Sequence, residues 1–262
     1  MSDKFNKGLI LTSLGSFWWG FVGVIYFEMV SFIGHIELVV HRCLWTAVML
    51  IITTIFLKKW KIFVEIISNK KKLAYLFLSG LLIFINWAIW IYAVSTNRII
   101  DASFGYFIMP IISVLLGYIF FKEELNKKRF FSIILVFISI LFMIFFNIQT
   151  LPWVGLVVAL SWAFYNLVRK KINVDTDIGL LIESLYIFPF ALVVFYLIMT
   201  KGFNDFSIAN PSLSLFLLLA GPMTVIPLFL YVRGVELIGL GATGMIFYIT
   251  PTLQFILGYF FY

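Results

Sequence analysis

An all-helical, multi-pass membrane protein folded as an inverted repeat is the fold class predicted by three features of this sequence. Its residues are 63% hydrophobic and 12% charged, far from the soluble average of about half apolar and about a quarter charged. Nine stretches are long enough to cross a hydrocarbon core of about 30 Å, which takes roughly 20 apolar residues. Finally, "PIISVLLGYIFF" (110–121) is echoed 141 residues later by "PTLQFILGYFFY" (251–262), with Pro, Leu, Gly, Tyr and Phe at the same offsets.

The nine spans are expected at about 8–29, 36–57, 73–95, 101–121, 130–148, 151–169, 178–200, 211–235 and 240–262. Each is predicted to be helical, because lipid offers no partner for a free backbone amide. The opening "MSDKFNK" has the charge of a signal peptide, yet no Ala-x-Ala site follows and the apolar run is too long, so the first span is expected to be retained. A lone cysteine, Cys43, excludes an internal disulfide, and with only two histidines beside it a typical structural zinc site cannot form. No metal and no cofactor are expected.

The net charge of +7 raises nucleic acid as a partner, but the distribution of the charge argues against it. Lys and Arg number 2 before the first span, 6 in 58–72, 4 in 122–129 and 3 in 169–177, whereas the alternate loops hold one in 96–100 and one in 201–210. Outside the spans the tally is 15 against 2. By the positive-inside rule the N-terminus is expected in the cytoplasm, with the lipid bilayer as the principal partner. Nine spans would then place Tyr262 outside.

Extending the echo backwards pairs Gly80 with Gly221 without a gap; with small shifts, "GLILTSLGSF" (8–17) lies opposite "GLVVALSWAF" (155–164) and "IELVVHRCL" (36–44) opposite "IGLLIESLY" (178–186). Spans one to four thus match spans six to nine. An odd repeat unit of five helices turns the second copy upside down, giving a first repeat over 1–150 and a second over 151–262. Tyr262 corresponds to Phe121, after which the first copy continues through "KEELNKKRF" into a fifth helix. The second copy is expected to lack that helix, a tenth span. Inverted repeats are an architecture of secondary transporters, with the substrate near the midplane between the halves.

Polar residues at fixed positions carry a family likeness. "HRCLWT" (41–46), "NWAIWIYAVSTNRIIDASFGYFIMPIISVLLG" (86–117), "SWAFYNLVRKKI" (161–172), "GLLIES" (179–184) and "YITPTLQFILG" (248–258) resemble the RarD group of the EamA family, in the drug/metabolite transporter superfamily. That resemblance, which runs nearly end to end, implies a bacterial inner-membrane permease of ten helices in two inverted halves, a group commonly described by chloramphenicol sensitivity. Nine spans depart from that pattern, so a non-transporting remnant or partner subunit stands as the alternative to a permease.

Candidate residues follow from depth and helical stripe. Ser103, Tyr106, Pro110, Ser113 and Gly117 form one stripe of the fourth span, and Gly244, Phe247, Pro251, Gln254 and Gly258 form its counterpart. Proline lacks the amide that would bond the carbonyl four residues back, so Pro110 and Pro251 are expected to kink their helices. These helices either line a substrate path or only pack closely through small residues. Asn86 and Trp90 share a face, with Trp87 beside them, and Tyr165, Asn166 and Tyr248 are further candidates for an aromatic, sparsely polar site suited to a small amphipathic substrate. Trp18 and Trp19 join them or belong to an interfacial belt. His41 and its repeat counterpart Glu183 lie at a depth that asks for a reason, either proton coupling or helix fastening, with Glu37 one turn from His41. Arg42 is expected to snorkel to the surface. Neither an H-E-x-x-H zinc motif nor a G-x-S-x-G elbow occurs, which speaks against an enzyme, and no charged ring or filter loop speaks for a channel.

Overall fold

A computed structural model describes residues 2–96, 98–125, 127–147 and 153–261. All regular structure among them is helical. The first span is α1 (Ser2–Phe17), a π-helical turn (Trp18–Val22) and α2 (Gly23–Met29) in continuous succession. It is followed by α3 (His35–Phe56), the short α4 (Trp60–Ile67), α5 (Lys70–Ser95), α6 (Ile99–Phe121) and α7 (Lys127–Asn147). The remainder comprises α8 (Trp153–Ile172), α9 (Thr176–Thr200), α10 (Pro211–Leu218), α11 (Ala220–Ile246) and α12 (Ile249–Phe261). The sequence boundary between the two repeats, at 150 and 151, lies outside the described residues, as does Tyr262.

Among the described residues six helical stretches are long and apolar enough to cross a bilayer, the last being Pro211–Leu257 with 47 residues. A straight helix of that length would measure about 70 Å at 1.5 Å per residue, twice what a bilayer needs. It is instead broken at Gly239, whose φ of +85° and ψ of 172° only glycine adopts readily. The turn expected at 236–239 is therefore present as this single-residue break. Helices α7 and α8, of 21 and 20 residues, occupy the fifth and sixth expected spans. The stretch 58–72, read from sequence as a loop, contains α4, whose Ile66 packs with Leu76, Val174 and Ile178.

Three close approaches fix the packing. A Cβ on Gly105 of α6 would lie 2.2 Å from the carbonyl oxygen of Gly155 on α8, so these two helices touch backbone to backbone. Gly244 of α11 sits against Pro110 and Ser113 of α6, where a Cβ would be 3.0 Å from that of Ser113. At Gly20 a Cβ would come within 2.9 Å of Leu253 and 3.0 Å of the Thr250 carbonyl, so the π turn seats on α12. Such small-residue contacts drive helix association where lipid supplies no hydrophobic force. Between these seams Trp19, Trp162, Tyr231 and Phe247 form an aromatic nest, with centroids 5.1 Å apart for Trp19 and Trp162 and 5.3 Å for Tyr231 and Phe247. Many large apolar side chains stay exposed, among them Phe56, Phe145, Phe190 and Phe255, as a lipid-facing surface requires.

The two prolines sit differently in their helices. Pro110 lies inside a helix that runs uninterrupted from Ile99 to Phe121. Pro251 stands in the first turn of α12, where a missing amide is harmless, just after the break at 247–248 that interrupts the expected ninth span. The Phe247 carbonyl that it was expected to free accepts from the Thr250 amide at 2.9 Å, a tighter turn in place of the lost bond.

Candidate functional site

The helix ends sort into two sides. Gly8 abuts Ile238, and the same end of the bundle gathers the lysine-rich turns. There Lys59 bridges Asp175 at 3.1 Å and Asp177 at 2.8 Å, tying the α3–α4 turn to the start of α9. Glu123, just past α6, is paired with Lys170 of α8 and accepts from the Leu240 and Gly241 amides at 2.9 and 2.8 Å. Those two amides are freed because the chain restarts as a helix after Gly239, which makes them a natural carboxylate cradle. Burial pushes the Glu123 carboxyl up, but the Lys170 hydrogen bond and the two amides outweigh it and hold the group below its ordinary value. Thr176 adds a bond to Glu236 at 2.8 Å.

Deeper on this side, Glu183 of α9 accepts from Ser79 Oγ at 2.6 Å and Tyr165 Oη at 3.3 Å. Its Oε1 is 3.4 Å from Nη1 of Arg169, and Arg169 Nη2 donates to the Thr176 carbonyl at 3.1 Å. Arg169, counted from sequence among the charges of a loop, is thus fully buried inside α8. Its guanidinium lies against Gly179, where a Cβ would be 1.8 Å from Nη1.

At the opposite end Glu37 accepts from the Asp205 and Phe206 amides at 2.9 and 3.1 Å. His41 Nε2 is 3.5 Å from that carboxylate while its Nδ1 accepts from Trp45 Nε1 at 2.9 Å. Phe195 and Phe206 enclose the ring. The array fastens α3 to the segment before α10.

Between the two ends lies a small central cavity of about 40 Å³. Asn86, Trp87 and Trp90 from α5, Tyr106 from α6 and Gln254 from α12 line it, five of the nine residues expected to bind substrate. Asn86 Nδ2 donates to the Val158 carbonyl at 3.0 Å and to Ser161 Oγ at 3.1 Å, fixing the amide against α8. The other four lie elsewhere. Ser113 Oγ turns back on Met109 at 3.1 Å under Gly244, and Tyr165 belongs to the Glu183 cluster. Asn166 donates to the Trp162 carbonyl within α8, while the Tyr248 hydroxyl straps α12 to the Phe107 carbonyl at 3.2 Å. Trp18 is likewise absent from the lining, but its neighbour Trp19 contributes.

Sequence reading missed one lining residue of consequence. Arg42 does not snorkel; it is 6% exposed, donates through Nε to Thr224 Oγ1 at 3.0 Å, and holds its guanidinium 4.7 Å from the Trp87 centroid and 5.4 Å from that of Phe27. Its helical face decides this, because the stripe of Leu38, Arg42, Thr46 and Leu50 is buried throughout. That pattern of one basic and one hydroxyl residue in an otherwise apolar stripe was the available signal. A larger crevice of about 480 Å³ opens between α3, α5 and α9. Its rim residues Phe77, Leu81 and Phe190 are exposed and apolar, so acyl chains suit it and the central cavity remains the candidate. Among the described residues no cluster of His, Cys, Asp and Glu could hold a metal ion.

Comparison with known proteins fits this architecture. The model of the EamA-like transporter family matches residues 6–145. The chain belongs to the EamA-like transporter family. Relatives of the EamA chain described here include Protein RarD of Salmonella typhi, 32% identical over 98% of this chain and 87% of that protein. The Protein RarD of Escherichia coli strain K12 is 31% identical over 98% and 86%. An uncharacterized transporter of Bacillus subtilis, YojE, is 33% identical over 98% and 86%. This EamA chain is accordingly a multi-pass membrane protein of a transporter family, and its Bacillus subtilis relative bears a transporter name.

Proposed function

We propose that the protein is a secondary transporter of the bacterial inner membrane that moves a small amphipathic molecule by alternating access through the central cavity. The observation that carries this is the cavity's position. It is lined from six parts of the chain, with Arg42 about 10 Å into α3 at 1.5 Å per residue. The lysine-rich end beneath it is fastened by Lys59, Glu123 and Arg169 with their partners. A small cavity enclosed between two fastened ends is what a carrier at rest between strokes requires. Asn86 and Gln254 are proposed as polar anchors, with Trp87, Trp90 and Tyr106 as the apolar wall. The lysine-rich end is assigned to the cytoplasm by the positive-inside rule.

The inverted-repeat reading has support in how the helices pair. If each span corresponds to the one five later, contact of α5 with α8 should be mirrored by contact of α11 with α1, and contact of α3 with α11 by contact of α9 with α5; all four pairings occur. In this reading His41 and Glu183 occupy equivalent places, each fastening its side. Proteoliposome counter-flow tests the function: saturable exchange of labelled substrate supports a carrier, whereas unsaturable flux or none refutes it. Asn86→Ala and Gln254→Ala should each weaken apparent affinity by about tenfold, the loss of one buried hydrogen bond to substrate, with membrane insertion intact. Unchanged kinetics in both would remove them from the site.

A further inference from the structure

The other buried or half-buried cations that fasten helices carry carboxylates: Arg169 has Glu183, Lys59 has Asp175 and Asp177, Lys170 has Glu123, and Arg98 has Asp101. Arg42 is the exception. Among the described residues no carboxylate lies within ion-pair distance of it, and its single hydrogen bond, through Nε to Thr224, leaves both terminal nitrogens undonated at the cavity. A charge enclosed in a bundle and left without a counter-charge is costly. The two rings flanking the guanidinium supply only a partial substitute, worth about 0.5–2 kcal/mol.

We propose that Arg42 is the anchor for an oxyanion on the transported molecule, which makes the substrate a small organic monoanion with an apolar, planar body. This rests on the transporter reading of the same cavity. The two free nitrogens of a guanidinium form a fork that matches a carboxylate in two parallel bonds. Thr224 and the cation–π contacts hold that fork in place before a ligand arrives, and both Trp87 and Arg42 face the same hollow. Behind the fork, Trp19, Trp90, Trp162 and Phe247 present flat apolar surface, while Asn86 and Gln254 offer side-chain amides at the margin. A carboxylate head with a ring-sized body satisfies all of these surfaces together once the cavity, about 40 Å³ at rest, widens around it; a neutral ligand leaves the arginine unmatched, and a cation is repelled by it.

The test uses the purified full chain in nanodiscs of zwitterionic lipid, with phenylacetate and its near-isosteric neutral amide, phenylacetamide, as probes. Binding is read by tryptophan fluorescence and by thermal shift. Phenylacetate should bind at least tenfold more tightly than phenylacetamide, because one charge-assisted bidentate contact is worth that much or more. Arg42→Gln should abolish the difference, and Arg42→Lys should keep part of it. Equal binding of acid and amide to the unaltered protein overturns the anion assignment while leaving a transporter of neutral molecules standing. Binding of neither probe, together with no saturable flux of any substrate, is the separate failure of the transporter reading. Nanodiscs containing phosphatidylglycerol decide the source of the oxyanion: loss of phenylacetate binding there would assign Arg42 to a lipid headgroup and overturn the small-carboxylate proposal.

Discussion

Substituting Gly105 by alanine should damage this protein more than its single methyl group suggests. The new Cβ would stand 2.2 Å from the Gly155 carbonyl oxygen and 2.8 Å from the Gly155 Cα. Carbon meets a carbonyl oxygen comfortably at about 3.3 Å, so α6 and α8 must part by roughly 1 Å. The obstacle is backbone, and no side-chain rotation relieves it. Overpacking of this kind costs about 1–3 kcal/mol. The same displacement separates Tyr106, next in sequence, from Trp162 on α8, and both line the cavity. Stability and ligand affinity should therefore fall together. Gly34→Ala is the matched control, since nothing lies within 4 Å of its Cβ position, and it should stay within about 0.5 kcal/mol of the parent. Unfolding in detergent micelles, followed by tryptophan fluorescence for both variants side by side, measures the first effect, and probe binding measures the second. If Gly105→Ala melts with Gly34→Ala, the backbone contact between α6 and α8 is not as tight as described and the reasoning fails.

Gly179→Ala would drive a Cβ into the Arg169 guanidinium, which is enclosed and has nowhere to retreat, so the pair with Glu183 breaks at a cost of about 3–5 kcal/mol; a folded yield equal to the parent's after extraction would contradict this. Tyr248→Phe removes the strap to Phe107 and should lower stability by about 1 kcal/mol without altering probe affinity, measured by unfolding and binding in parallel. The Glu123 clamp has a defined pH response. Because its carboxyl is held below the ordinary value of 4.5, its contribution is fully present above that value and is lost as pH falls through the lower, folded one. Hydrogen exchange at the Leu240 and Gly241 amides, corrected for intrinsic rate, should stay flat from neutrality down to about pH 5 and quicken only below the ordinary carboxylate range; quickening between pH 7 and 5 would refute the assignment.

Much of the helical layout was legible because a bilayer leaves few choices. Apolar length marks the spans, and the break at Gly239 sits where the turn signal pointed. The cavity was half legible. Asn86, Trp87 and Trp90 share one face of α5, and helical spacing places them together whatever α5 packs against. Tyr165, Asn166 and Tyr248 lie off the cavity for the opposite reason, since only the packing of α8 and α12 determines which of two polar faces meets a hollow and which meets a neighbouring helix. Arg42 and Arg169 were misjudged through depth alone. Each lies within reach of a helix end, where a long basic side chain ordinarily turns outward. What holds them inside is a partner more than a hundred residues away in one case, Thr224, and a glycine that leaves room for a guanidinium in the other, Gly179. Local sequence contains neither fact.

The inverted-repeat reading leaves an asymmetry between the two fastenings that bears on which side opens more readily. At equivalent places stand His41 with Glu37 and Glu183 with Arg169. An arginine keeps its charge at every working pH, and this one adds Thr176 while its carboxylate partner adds Ser79 and Tyr165. The histidine pair carries a full charge only when the ring is protonated, and its carboxylate is held by two amides of the loop at 205–206. Breaking the arginine pair exposes two buried charges at once, whereas releasing Glu37 returns a carboxylate to water near a helix end. On the proposed alternating-access reading, the lysine-rich side therefore needs the larger input to open. A ligand that neutralises Arg42 changes the charge of the cavity between the two fastenings, and this is a way for substrate itself to supply part of that input. Alkylation of a cysteine introduced at Asn173, beside the Lys59 clamp, should accordingly rise when phenylacetate is added and stay at its resting level with phenylacetamide; equal labelling with both would separate ligand charge from opening.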